Sequence, residues 1–234
     1  MTVWGLCYYG CIYNNFIEFK SVVESDVLNK KGDIMKHYEL ELPQGYKEAQ
    51  VIDAKDTKFG VIMNLVALAV MVLAVTIGCL ILKPTWEQLE QDVTSKGFIW
   101  HMFIFLLAMV VYIVLHELVH GAAYKLLTKQ KLTFGLTLTV AYCGVPNIYV
   151  YRKAALISLL APFVVFLPVF TALIFVVPLT FDKLLACYML GMHIGGCSGD
   201  LYDTILYLFK YKNPKTLMRD TGPKQTFYVP VDEQ

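Results

Sequence analysis

Near the middle of the chain, His116-Glu117-Leu118-Val119-His120 forms an HExxH pattern. On a helix, residues four apart share a face, so both imidazoles reach one metal ion. The glutamate between them sits where it can take a proton from a water held by that ion. Zinc suits two neutral imidazoles plus one oxygen ligand, with a fourth position left for water. Chance supplies the pattern in roughly one chain of this size in two hundred.

A third ligand must come from elsewhere, and candidates are few. His37, His101 and Asp182 lie in the N-terminal segment, early in the same apolar stretch, and in a later loop. The richest run is His193-Ile194-Gly195-Gly196-Cys197-Ser198-Gly199-Asp200-Leu201-Tyr202-Asp203. On one continuous helix, Asp200 falls seven residues after His193 and on the same face, with Asp203 a turn further on. Gly191, Gly195, Gly196 and Gly199 are expected to thin the helix so that another helix can approach, with Gly196 and Gly199 opening the surface around Asp200 for the HExxH helix, so that the short carboxylate reaches the metal. Asp203 lacks that clearance. It is read as orienting a ligand histidine, or as a polar group snorkelling or capping at a helix end. His193 is a candidate catalytic group, hydrogen-bonding a developing oxyanion or orienting Asp200. A buried histidine bonded to a backbone carbonyl accounts for it equally well.

The elements that must position these residues are mostly apolar. Of the 234 residues, 57% are hydrophobic and only 17% charged, against roughly 25% charged in a soluble domain. This is the composition of an integral membrane protein. A net charge of +1 leaves no basic field for nucleic acid, so that partner is excluded. Six cysteines without a CxxC pair read as buried small residues rather than as disulfides or thiolate zinc ligands. Stretches 59–82, from 98 through the HExxH, 154–179 and 184–209 are each long enough to cross a bilayer. A charged and polar motif at the end of such a span marks a functional site. Lysines and arginines crowd the segments before the first span, between the second and third, and after the fourth, which places both termini in the cytoplasm.

Outside the spans, Thr85 and Gln88 form a capping-box pattern opening a short helix over 85–93. Residues 132–140 alternate as a strand does, and the β-prone run 148–151 follows turn material at 143–146, predicting a small cytoplasmic-side hairpin. Such a hairpin would either accept an extended substrate by edge pairing or merely cap the bundle. The first 34 residues are not a signal peptide. Residues 31–35 can be encoded by a purine-rich stretch before an ATG, as in a bacterial ribosome-binding site, so translation is expected to begin at Met35. The expected organisation is an N-terminal extension 1–34, a cytosolic lead 35–58, a mainly α, four-helix membrane domain 59–209, and a cytosolic tail 210–234.

The HELVHG at 116–121, YRK at 151–153 leading into SLLAPF at 158–163, GDLYD at 199–203 and RDTGPKQTFYV at 219–229 resemble the DUF3267 family of zincin peptidases. The likeness covers about residues 35–229. The arrangement is also similar to site-2-type intramembrane metalloproteases, in which an aspartate on a later membrane helix completes an HExxH zinc site. Those proteases carry LDG after an Asn-Pro stretch, whereas this chain has GDL with His193 upstream. The resemblance implies a zinc metallopeptidase of the bacterial cell membrane cleaving a peptide bond in or next to the lipid, with a peptide or membrane-protein substrate. His116, His120 and Asp200 are then the metal ligands, and Glu117 and His193 the catalytic groups. The rival reading is non-enzymatic, a structural metal site or an ion transporter, although four spans without an inverted repeat do not suit a transporter.

Overall fold

A computed structural model describes residues 37–92, 95–137 and 141–231. The expected start at Met35 and the extension before it lie outside the described residues.

Three helices are long and apolar enough to cross a membrane: α1 (Thr57–Leu82), α3 (Ser95–Thr128) and α4 (Arg152–Val176). At about 1.5 Å per residue each exceeds the roughly 30 Å hydrocarbon core. Their apolar side chains face outward, as lipid-facing helices require, with Leu80 and Ile81 on α1 about 70% exposed. Between α1 and α3 lies α2 (Trp86–Asp92). The capping box is present, since Gln88 N–H donates to Thr85 Oγ1 and Thr85 N–H to Gln88 Oε1, at 3.2 and 3.1 Å.

The fourth predicted span is not one helix. It divides at Cys197 into α5 (Thr180–Gly196) and α6 (Ser198–Ile205), followed by a π-turn at Leu206–Lys210. Two causes are local. Glycines cluster at 195, 196 and 199, and glycine has a low helix propensity. The segment also turns polar at Ser198, Asp200, Asp203 and Thr204, which no uniformly apolar span would tolerate. The described residues thus hold three long apolar helices rather than four.

The strands also depart from expectation. A five-stranded antiparallel sheet runs in the order β1 (Tyr38–Glu39), β5 (Tyr149–Tyr151), β6 (Leu217–Asp220), β7 (Lys224–Pro230), β2 (Tyr46–Asp53). The segments read as a lead and a tail therefore supply most of its strands. A separate pair joins β3 (Thr133–Leu136) to β4 (Ala141–Gly144). Residues 143–144 are thus strand rather than turn, and β5 leaves the expected hairpin for the larger sheet. The reason lies at Gly144 and Val145. A Cβ on Gly144 would collide with the backbone of Thr221 and Gly222, and Val145 N–H donates to the Asp220 carbonyl at 2.9 Å, steering the chain onto the sheet. Residues 138–140 of the predicted strand lie outside the described residues.

The chain divides into two compact units, with boundaries inside α1 after Phe59, inside α3 after His116, inside α4 after Ala161 and inside α6 after Gly199. One holds both sheets, the C-terminal end of α3, the start of α4, and α6. Its core packs Tyr124 and Leu127 with Val150, Ala155, Leu159, Tyr207, Met218 and Phe227. The other holds α1, α2, most of α3 and α4, and α5. There Gly191 and Gly195 of α5 lie against the backbones of Met71 and Ala67 on α1, where a Cβ would come within 2.8 Å. These glycines, not Gly196 and Gly199, make the close helix approach. A Cβ on either of the latter would meet nothing within 4 Å.

Candidate metal centre

His116 and His120 project from successive turns of α3, both buried. The Nδ1–H of His120 donates to the Ser158 carbonyl on α4 at 2.8 Å. That carbonyl is available for a chemical reason. Four residues on stands Pro162, inside the helix, and proline has no N–H to make the i→i−4 bond. With Nδ1 carrying the proton, the neutral His120 ring presents its Nε2 lone pair on the other side. There Nε2 lies 3.4 Å from Asp200 Oδ2.

His116, His120 and Asp200 each offer one ligand atom, and the three atoms lie within 4.8 Å of one another. Two ligands about 2.0–2.1 Å from a tetrahedral zinc sit roughly 3.3 Å apart, so the His120–Asp200 separation suits the ion. Two neutral imidazoles and one carboxylate are also the donor set of catalytic zinc. Glu117, half-buried on α3, accompanies them.

The structure sorts the other candidates. His101 and Asp182 pair with each other at 2.7 Å, and among the described residues neither they nor His37 belongs to a group of potential metal-ligating atoms. Asp203 is buried rather than snorkelling at a helix end, and also lies outside these groups. The break at Cys197 puts His193 on α5 and Asp200 on α6 rather than on one continuous helix. His193 is fully buried, stacked on Phe163 and flanked by Phe166 and Phe170. Its Nδ1 lies 2.8 Å from the Tyr112 hydroxyl, which is also 3.2 Å from Nδ1 of His116.

Sequence reasoning missed Tyr112, although its place one turn before His116 on the same face is a readable signal. It also passed over Cys197, which forms a second group of potential ligands with His116 and His193. No CxxC spacing announces that group. Nearby in the sheet-bearing unit, the Tyr124 hydroxyl donates to Asp220 Oδ2 at 2.7 Å, tying α3 to β6. Burial pushes the Asp220 carboxyl up to about 6, against the lowering effect of the Tyr124 and Gly222 donors. Burial, followed by the negative charges of Asp220 and Glu117, pushes the Cys143 thiol up to about 12. It is therefore not a thiolate nucleophile at neutral pH.

No curated protein and no solved structure matches the chain. A family model does, over residues 109–215, from α3 ahead of Tyr112 to just past the π-turn. Both histidines of the HExxH, Glu117 and Asp200 fall within this region, which is similar to the DUF3267 family, described as "Putative zincin peptidase"; the match is narrower than the expected 35–229 and does not reach the run at 219–229.

Proposed function

We propose that the protein is a membrane-embedded zinc metallopeptidase that hydrolyses a peptide bond within or next to the bilayer. The observation that carries the reading is the convergence of His116, His120 and Asp200 with Glu117 beside them on α3. His116 and His120 hold the ion through imidazole nitrogen, and Asp200 completes the protein ligands. Zinc, when bound, supplies Lewis-acid polarisation of the scissile carbonyl and acidifies a water. Glu117 takes the proton from that water and delivers it to the departing amine nitrogen. The Ser158 carbonyl holds His120 in the tautomer that leaves Nε2 for the metal. His193 contributes from behind His116, across the Tyr112 hydroxyl. An extended substrate segment docks along β3, which among the described residues pairs on one side with β4.

The reading also sets an orientation. Both termini face the cytoplasm, which requires the 17-residue α5 to carry the chain back after the third long helix and agrees with β1 and β2 sharing a sheet with β6 and β7; the metal group lies at the cytoplasmic end of α3, open to water from that side. Three long apolar helices support membrane residence, and the positive charge flanking them supports the direction. The test is metal analysis of purified wild type and Glu117→Gln, with cleavage of a candidate membrane-anchored peptide followed in parallel. Glu117→Gln should retain zinc and lose cleavage. A Glu117→Gln variant that still cleaved at the wild-type rate would overturn the assignment.

A further inference from the structure

Resting on the reading of His116 as a zinc ligand, we infer that Tyr112 is a positioning residue that fixes the metal-binding tautomer of His116 by bridging it to His193. The three side chains belong to one unit and are all buried. The tyrosine hydroxyl lies 3.2 Å from Nδ1 of His116 and 2.8 Å from Nδ1 of His193. A phenol has one proton to donate and lone pairs to accept. Between two neutral imidazoles it donates to one Nδ1 and accepts from the other.

Proton placement then follows in one direction only. If His116 gives Nε2 to the metal, its Nδ1 carries the proton and donates to the Tyr112 oxygen. The Tyr112 proton must then go to His193 Nδ1, which leaves the His193 proton on Nε2. The shorter distance, to His193, is the one expected where an O–H donates. Tyr112 sits one turn before His116 on α3, so the helix itself aims the hydroxyl at the ligand. The stacked Phe163 and the rings of Phe166 and Phe170 hold the His193 plane. His193 thus acts through Tyr112 rather than on substrate. The role parallels that of Ser158 behind His120, with a side chain in place of a carbonyl.

The competing use of these atoms is a metal ion held by His116, His193 and Cys197, whose Sγ is 3.7 Å from His193 Nδ1. The Tyr112 hydroxyl lies within hydrogen-bond reach of two of those three donors, which favours the bridge.

The test uses the full chain in detergent, with zinc affinity measured by chelator competition. Tyr112→Phe should weaken zinc by roughly 10–100-fold. His193→Asn should weaken it in wild type but add nothing on the Tyr112→Phe background. Wild-type affinity in Tyr112→Phe, or additive losses in the double variant, overturns the inference. A readout that needs no variant is the ¹⁵N spectrum of histidine-labelled, zinc-loaded protein. It should show His116 protonated at Nδ1 and His193 at Nε2, and the opposite tautomer of His193 overturns the bridge. A thiolate-to-cobalt charge-transfer band after Co²⁺ loading would place Cys197 on the metal and overturn it as well. His116→Ala separates the two levels. If it keeps wild-type zinc, the metal-ligand reading itself falls. If it loses zinc while Tyr112→Phe does not, only the bridge falls.

Discussion

Removing one oxygen atom, in Tyr124→Phe, tests how α3 is anchored to the sheet. The Tyr124 hydroxyl and the Asp220 carboxyl are both buried and 2.7 Å apart, and the ring packs in the core around Tyr207 and Phe227. Phenylalanine keeps that packing, so the loss is confined to the hydrogen bond. A bond to an ionised partner is worth about 1.5–3 kcal/mol, and one to a neutral partner about 0.5–1.5 kcal/mol. Which value applies depends on pH, because Asp220 titrates near 6 in the folded chain against 3.8 ordinarily.

A raised carboxyl means the folded state holds the proton more tightly than the unfolded chain does. The stability this group contributes is fully present below pH 3.8 and is lost as pH rises through about 6. Tyr124 lowers the Asp220 value by bonding the charged form, so Phe raises it further and extends the loss to higher pH. At roughly 2–4 °C per kcal/mol for a chain of this size, the melting temperature of Tyr124→Phe should fall by about 4–8 °C at pH 8 and by about half that at pH 5. Thermal unfolding of the detergent-solubilised protein at the two values reads this directly. An equal drop at both, or a larger one at pH 5, would refute the reasoning.

The α5 glycines should differ sharply: Gly195→Leu forces α5 off Ala67 and destabilises the chain by at least 1–3 kcal/mol, whereas Gly196→Ala, facing open space, should leave the melting temperature within about 2 °C. Pro162→Ala returns an amide donor to compete for the Ser158 carbonyl. Zinc affinity, by chelator competition, should weaken severalfold with no change in helix content by circular dichroism. For orientation, cysteines introduced singly at 129 and 153 should react with a membrane-impermeant maleimide only from the cytoplasmic side, and labelling from outside would reverse the topology.

Much of the site was legible because its chemistry is local. HExxH offers two candidate ligands and a candidate base by helical spacing alone, and Asp200, a deep carboxylate in a glycine-rich segment, does fall with the two histidines in one group of potential ligand atoms. The reason first attached to that choice was wrong in part. Gly196 and Gly199 touch nothing, and the glycines that pack, 191 and 195, serve α1 instead. The helix also ends at Gly196 and a new one starts at Ser198, and a break of that kind leaves little trace in hydropathy.

The sheet was hidden for a different reason. Its strands are short and paired across long separations, as in β2 with β7, where Tyr46 faces Pro230. Of the alternating run 132–140, residues 133–136 are strand, but they pair with β4 rather than with 148–151. Cross-chain pairing depends on contacts such as Gly144 against Gly222, which periodicity does not encode. The hydrogen bonds behind the two candidate histidines, to the Tyr112 hydroxyl and the Ser158 carbonyl, are not announced by the motif's own spacing, although a tyrosine and a proline each stand one turn from their targets.

The central claim is that His116, His120 and Asp200 together hold one zinc ion. Its most direct test is the zinc content of the purified full chain, compared with Asp200→Ala and Asp203→Ala under the same chelator wash. One zinc per wild-type chain is expected, with the ion lost from Asp200→Ala and weakened but present in Asp203→Ala. Full zinc in Asp200→Ala together with its loss from Asp203→Ala would contradict the account.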